Sequence, residues 1–296
     1  MSKFRFISYL FLATLFSCSR SPTKIGTPSY IRISNYYTKV DTLYGTNNQD
    51  FTDMLMLSTT DNLGIFPLGS NAPLPFTGVM QFQIRPVINI NGLSALKIDY
   101  PMMRSCDTTL PLVPGQVLNV RPVFEYYPNV HFRFLENFEG HSFLMTNENP
   151  SDTFGFRIDT AVAQKFYGSQ ASMLLQMNSA NQGPVQTRSY QAFLSPNNGT
   201  PVYLEFNYMS NISIDVRVVA VSNATYNATT YSDIRSIGGA LPSNGVWKKM
   251  YMDLTPVVTP PPIYYPSYFF IDFVCYYESA PYSYANIDNI KIISQQ

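Results

Sequence analysis

Few side chains in this sequence could do covalent or acid–base chemistry. Its 296 residues hold two histidines, His131 and His141, three cysteines and one tryptophan. No Cys or His pair stands at metal-ligand spacing, so no zinc centre is expected. No serine lies in the Gly-x-Ser-x-Gly turn that exposes a hydrolase nucleophile. His131 adjoins an apolar run and reads as structural. Glu136 and Glu139 are close enough to suggest the paired carboxylates of a glycosidase. Their odd spacing on a strand, however, sends them to opposite faces. With no convergent acid, base and nucleophile, the chain is expected to be no enzyme but a binding protein.

The elements that must position any site are strands. Only 13% of residues are charged, 15% are aromatic and 22 are proline, with few long helix-forming runs, which predicts an all-β fold. Nineteen basic residues balance nineteen acidic ones, so no net field draws nucleic acid or an anionic surface. Cys106 and Cys275 are expected to be two buried thiols, Cys275 because it lies in a strand pattern; the alternative is a bridge across domains.

At the amino terminus Lys3 and Arg5 precede an apolar run, Phe6 to Phe16, interrupted only by Ser8 and Thr14. A bilayer-spanning helix needs about 20 apolar residues, so this run is too short and fits a signal-peptide core. Leu15-Phe16-Ser17-Cys18 resembles the bacterial lipobox, with Phe16 bulkier than usual for its position. The resemblance implies that residues 1–17 are a lipoprotein signal peptide. Cys18 would then carry the lipid, and residues 18–27 would be a polar tether. Several acyl chains anchor firmly where one binds marginally. The chain is therefore expected to be anchored to the outer membrane rather than to span it. Ser19-Arg20-Ser21-Pro22 follow where surface-exported lipoproteins often carry acidic residues, which leaves the cell surface and the periplasmic face both open.

Strands are predicted at Tyr30–Ser34, Met54–Leu57, Val79–Arg85 and Gln116–Val123. In the third, Met80, Phe82 and Ile84 face one side and Gln81, Gln83 and Arg85 the other. Asn91-Gly92 is a turn signal. Residues 28–130 thus read as a small β-sandwich. In residues 131–296, Val202, Leu204, Phe206 and Tyr208 alternate with Tyr203, Glu205 and Asn207, and Ile212, Ile214, Val216 and Val218 with Ser213, Asp215 and Arg217. Met250, Met252 and Leu254 follow Trp247, whose position at the start of a strand suggests core packing. Phe269, Ile271, Phe273 and Cys275 form another inward set. Only Ala161–Phe166 suggests a turn or two of helix. Many strands separated by turns imply a second sandwich or barrel.

Leu135-Glu136-Asn137-Phe138-Glu139-Gly140 resembles the first strand of a jelly-roll module of the carbohydrate-binding or galactose-binding-like kind. Asn244-Gly245-Val246-Trp247-Lys248-Lys249-Met250-Tyr251-Met252-Asp253-Leu254 resembles a late strand, and Ile287-Asp288-Asn289-Ile290-Lys291-Ile292 the closing one. The layout also resembles two-domain outer-membrane lipoproteins of the Bacteroidota, whose first domain carries patterns like Leu63-Gly64-Ile65-Phe66-Pro67-Leu68 and Val87-Ile88-Asn89-Ile90-Asn91-Gly92. Asp288 is expected on the face of Ile290 and Ile292, where a carboxylate needs a partner. The resemblance implies a structural calcium between Glu139 and Asp288. The residues alone fit a turn whose backbone amides cap the carboxylate at least as well.

Two further patterns bear on partners. Thr255–Tyr268 is rich in proline, which would present Tyr264, Tyr265 and Tyr268 on a stiffened loop. Tyrosine gives contact area at low entropic cost, for protein partners or sugar alike. Tyr282 and Tyr284, in a turn before the last strand, would extend that surface. The alternative is a loop that packs over the sandwich edge. Thr42, Thr108 and Thr160 follow aspartates in a pattern that resembles the Asp-Thr-x acceptor of Bacteroidota O-glycosylation. By analogy, the leading expectation is a lipoprotein that binds or scaffolds other envelope proteins in a secretion, motility or barrel-biogenesis assembly. The alternative is a glycan-binding surface lipoprotein.

Overall fold

The computed structural model describes residues 26–39, 48–148, 155–161, 165–194, 196, 199–221, 231–259, 268–278 and 281–295. They form an all-β protein of two blocks. The first carries β1 (Ser29–Arg32), β2 (Tyr37–Lys39), β3 (Asp53–Ser58), β4 (Asn62–Pro67), β5 (Asn71–Leu74), β6 (Gly78–Asn89), β7 (Lys97–Asp99), β8 (Cys106–Leu112), β9 (Val117–Asn119) and β10 (Val123–Glu125). Five of these make the main sheet, in the order β4-β3-β6-β7 with β8 also on β6. Phe82 and Ile84 are buried and Met80 partly so, as the alternation requires. The single strand expected over Gln116–Val123 is instead two. Pro122 has no N–H to donate to a ladder, and its carbonyl accepts from the Tyr37 amide at 2.9 Å. The chain breaks there, so β9 pairs parallel with β1 and β10 parallel with β2.

The second block holds β11 (Val130–Glu136), β12 (Met145–Asn147), β13 (Arg157–Asp159), β14 (Ser172–Asn178), β15 (Val185–Ser189), β16 (Phe193–Leu194), β17 (Val202–Ser210), β18 (Ile214–Val221), β19 (Tyr231–Ala240), β20 (Lys248–Asp253), α1 (Thr255–Val258), β21 (Tyr268–Cys275) and β22 (Tyr282–Gln295). The front sheet runs β13-β14-β22-β17-β20, with β11 also on β22. The back sheet runs β12-β15-β21-β18-β19, with β16 also on β21. The chain passes between the sheets at eight of the eleven steps between its described strands, which is jelly-roll layout. Leu204, Phe206, Met250, Met252, Ile287, Ile290 and Ile292 from the front meet Val216, Val218, Ile271 and Phe273 from the back in one core. On the back sheet's other face, Arg188 donates to both oxygens of fully buried Asp272 at 2.6 Å, a bidentate pairing. Of the expected helical turn at Ala161–Phe166, residues 162–164 lie outside the described set and the others are not helical. The one described helical turn is α1, within the stretch expected as loop. Its Pro256 stands in the first turn, where a missing N–H costs nothing.

Two features of the front sheet depart from simple alternation. All nine residues of β17 are buried, including Tyr203, Glu205 and Asn207, which alternation aims outward. Tyr203, Tyr251 and Ile293 belong to the first block's core, because that block lies over this face. A bridge pairs Ile90 with Tyr251, and the Asn91 amide donates to the Tyr251 carbonyl at 2.8 Å. The second departure is a bulge where Glu205 pairs Lys291 but Asn207 pairs Asp288, with Asn289 at φ 53°. The extra residue reverses alternation. Asp288 therefore lies on the outer face with Asn286, not on the core face of Ile290 and Ile292 as expected.

Candidate functional site

The outer face of the front sheet carries polar groups in three stretches with different covers. At the end beneath the first block, the Glu205 carboxylate is fully buried. Lys249 Nζ lies 2.7 Å from its Oε2, and Lys291, its neighbour across the ladder, is fully buried too. From the first block, the Tyr100 and Tyr126 hydroxyls donate to Oε1 and Gln49 Nε2 reaches Oε2. The Tyr251 hydroxyl donates to Gln49 Oε1 at 2.7 Å. Burial pushes the Glu205 carboxyl up, but Lys249 and Lys291 pull it further down, so it stays ionised. Burial, helped by the Lys249 ammonium, lowers Lys291 to about 8 against the pull of Glu205. Burial first, then the Glu205 charge, raises Tyr100 and Tyr126 well above the ordinary phenol range. This cluster is sealed from solvent, and its chemistry is that of an inter-block clasp.

In the middle stretch Asp288 lies within electrostatic reach of Glu139 and Glu136. Glu139 lies beyond the end of β11, after Phe138 at φ 57°. Strand alternation therefore does not separate it from Glu136 as expected. The Phe138 and Leu144 amides occupy the two oxygens of Glu136, and the Gln170 amide donates to Glu139 Oε1 at 2.7 Å. Asp288 Oδ1 accepts from the Asn289 amide at 2.6 Å, while its buried Oδ2 has no partner among the described residues. Burial raises Asp288 to about 7; Ser169 and the Asn289 amide oppose this, while Glu139 and Glu136 reinforce it. An orphaned hard oxygen facing like charges is the donor chemistry of a calcium ligand. Among the described residues no three Asp, Glu, His or Cys converge as a metal group. The carboxylates would thus supply only part of the six to eight oxygens, roughly, that calcium takes.

The far tip of the same face is open. A depression of about 380 Å³ is lined by Asp159, Leu174, Gln176, Asn211, Pro281, Tyr282 and Tyr284. Tyr282 is 53% exposed. Both tyrosines lie within β22, not in a turn before it as expected. Asn211 fixes their backbone: its Oδ1 accepts from the Tyr284 amide at 2.7 Å, and its Nδ2 donates to the Tyr282 carbonyl at 2.8 Å. Arg157 donates to Gln176 Oε1 at 2.6 Å and orients that amide. Alongside lies a second depression of about 470 Å³, bordered by Lys165, Phe166, Tyr167, Gly168, Met209, Gly245, Val246 and Trp247. Trp247 is half-buried rather than a core residue, and Phe166 meets it edge-on at 5.4 Å. Asn244 and Gly245, at φ 56° and 76°, form the tight turn before it, the Asn-Gly pairing that two positive φ values favour.

The other sequence-predicted positions are scattered. Cys18, Thr42, Tyr264 and Tyr265 lie outside the described residues. Tyr268 is not on a loop but opens β21, half-buried against Val219, Val221 and Phe270. Thr108 is half-buried in β8 opposite Phe82, and Thr160 is exposed just after β13. Cys106 and Cys275 are free thiols; Cys275 is buried, whereas Cys106 is only half-buried. His131 and His141 are exposed. Sequence reasoning missed the Glu205–Lys249–Lys291 cluster, whose members stand among other polar residues on β17, β20 and β22 and carry no local signal. It also missed Gln176 and Asp159, which carry no local signal.

No protein family matches the chain by its sequence pattern, and no curated protein matches it. Solved structures similar to it include a cleaved adhesin domain of Lys-gingipain from Porphyromonas gingivalis, 14% identical over 54% of this chain and 96% of that one, with a TM-score of 0.36. A xylan-binding domain from Paenibacillus barcinonensis is 10% identical over 56% of this chain and 96% of that one, with a TM-score of 0.35. A family 11 carbohydrate-binding module of a Clostridium thermocellum cellulase is 15% identical over 55% and 95%, with a TM-score of 0.35.

Proposed function

We propose that this protein is a non-catalytic glycan-binding lipoprotein, whose jelly roll takes sugar on the open tip of its front sheet. One observation carries the reading: Tyr282 and Tyr284 share a solvent-open depression with Gln176 and Asp159, on rigid strands. A sugar ring has an apolar C–H face and a rim of hydroxyls. Aromatic rings take the first, and a few placed amides and carboxylates the second. A glycan array probed with the full chain tests it. Tyr282→Ala should lose about tenfold or more in affinity for whatever glycan binds, as truncated aromatic anchors commonly do, with an unchanged melting temperature. A folded protein that binds nothing across the array would sink the reading.

Membrane attachment belongs to the same proposal and rests on the lipobox-like Cys18. Labelling with an alkyne fatty acid should mark the wild type and not Cys18→Ala. Either membrane face suits a glycan binder. The envelope-scaffold reading, the leading expectation by analogy, loses its support from a core Trp247, which is half-buried; of the three tyrosines of the Pro-Tyr stretch only Tyr268 is described, and it packs in a strand. Calcium, where it binds, would be held by Asp288 and Glu139 and would tie the β11 end to β22.

A further inference from the structure

We infer that the ligand is a chain of linked sugars bound along its length across two adjoining subsites, rather than a single terminal sugar. This rests on the glycan reading above and deepens it. The two depressions at the tip adjoin where Tyr284 meets Gly245. Tyr284 lines the first, and its hydroxyl stands 4.0 Å from where a β-carbon on Gly245 would sit. Gly245 lines the second. The absent side chain at Gly245 is therefore what joins them. Exposed aromatic faces stand in both parts: Tyr282, 53% exposed, in one and Tyr167, 79% exposed, in the other. Trp247 lies beside Tyr167, its ring fixed by the edge-on contact with Phe166.

The groove's direction argues for sugar over peptide. It crosses β14 and β22 toward the turn before β20 instead of following one strand. Along its floor Gln176 pairs with Tyr284, and Asn211 donates its amide to the Tyr284 carbonyl at 3.2 Å. Tyr284 is thus paired on both sides, and the free edge of β13 lies at the groove's side, so an added strand would not run along the groove's floor. Recognition falls to ring faces and side-chain tips spaced along a line, which a repeating sugar chain can meet more than once.

The test uses the polysaccharide that binds on the array, partially hydrolysed and sorted by length, titrated into the full chain by calorimetry. Affinity should rise with length by about tenfold or more before levelling, as a second aromatic contact is engaged. Tyr167→Ala and Tyr282→Ala should each weaken the long fragments, while only one of them affects the shortest that binds. Gly245→Asn, using the side chain that best tolerates a left-handed backbone, should narrow the join and flatten the length dependence. If that variant does not fold, the exposed Tyr167→Ala still decides. Equal affinity at every length, or a silent Tyr167→Ala beside a damaging Tyr282→Ala, would overturn the chain-binding inference and leave a one-pocket glycan binder. A folded wild type that binds no glycan fails the reading itself, and this inference with it.

Discussion

Where the first block covers the front sheet, Glu205, Lys249 and Lys291 are shut away from water with tyrosine hydroxyls around them. Further along the same β22–β17 ladder, Tyr284 and Asn211 border an open depression. Both sets sit on the outward side of strands whose inward side is the same core. What differs is the cover. Charges under a cover must be paired, because an isolated buried ion costs several kcal/mol, roughly, even after relaxation. Aromatic and amide groups in the open carry no such demand and are left to meet a ligand. One face thus serves as a clasp at one end and as a binding surface at the other.

Removing the clasp's carboxylate should give the largest effect. Glu205→Ala strands two buried ammonium groups and several hydroxyl donors, and should cost about 3–5 kcal/mol in urea denaturation. A cost below about 1 kcal/mol would mean that the cluster is not sealed and would erase the contrast between the two ends.

Next comes pH. Lys291 has a folded pKa of about 8, below its usual 10.5. Between those values the folded state holds fewer protons than the unfolded one, so stability should rise with pH across that window. The full penalty, about 3 kcal/mol at most, is present below pH 8. Tyr100, Tyr126 and Tyr251, all raised above the ordinary range, ionise more readily when unfolded and should pull stability down again above about pH 10. Lys291→Met should flatten the rise; a wild-type profile that falls steadily from pH 7 to pH 10 would contradict the assignment.

Smaller again is the middle of the face. Saturating calcium should stabilise the wild type by about 1–3 kcal/mol and leave Asp288→Asn unmoved. That variant should also melt higher than the calcium-free wild type, since it removes a buried carboxylate facing two others. Equal responses of the two proteins to calcium would place any bound ion elsewhere. The smallest effect is expected at the tip, where Gln176→Ala should change stability by about 1 kcal/mol or less while weakening sugar binding.

Much of the architecture was legible in single residues. Ile214, Val216 and Val218 alternate with Asp215 and Arg217, and that period sends them inward whatever lies elsewhere. Asn91-Gly92 marked its turn for an equally local reason. The candidate site was only partly legible. Tyr282 and Tyr284 stood out by type, but their place inside β22, beside Gln176 and Asp159, depends on pairing with a strand about a hundred residues earlier. Asp288 was read onto the wrong face because one bulge residue, Asn289, reverses every side chain before it. Pro122 split a strand that composition alone joined.

The period of two determined by itself which residues form the jelly-roll core. Only the tertiary structure decided the fate of the opposite face. Tyr100 meets Glu205 across 105 positions of chain, and Tyr251 meets Gln49 across 202. No local pattern encodes such a cover, because a strand's alternation separates two sides without saying what lies against the second. Whether an outward polar residue becomes a buried clasp or an open contact is settled by which distant surface docks there, and burial then sets its charge and its role.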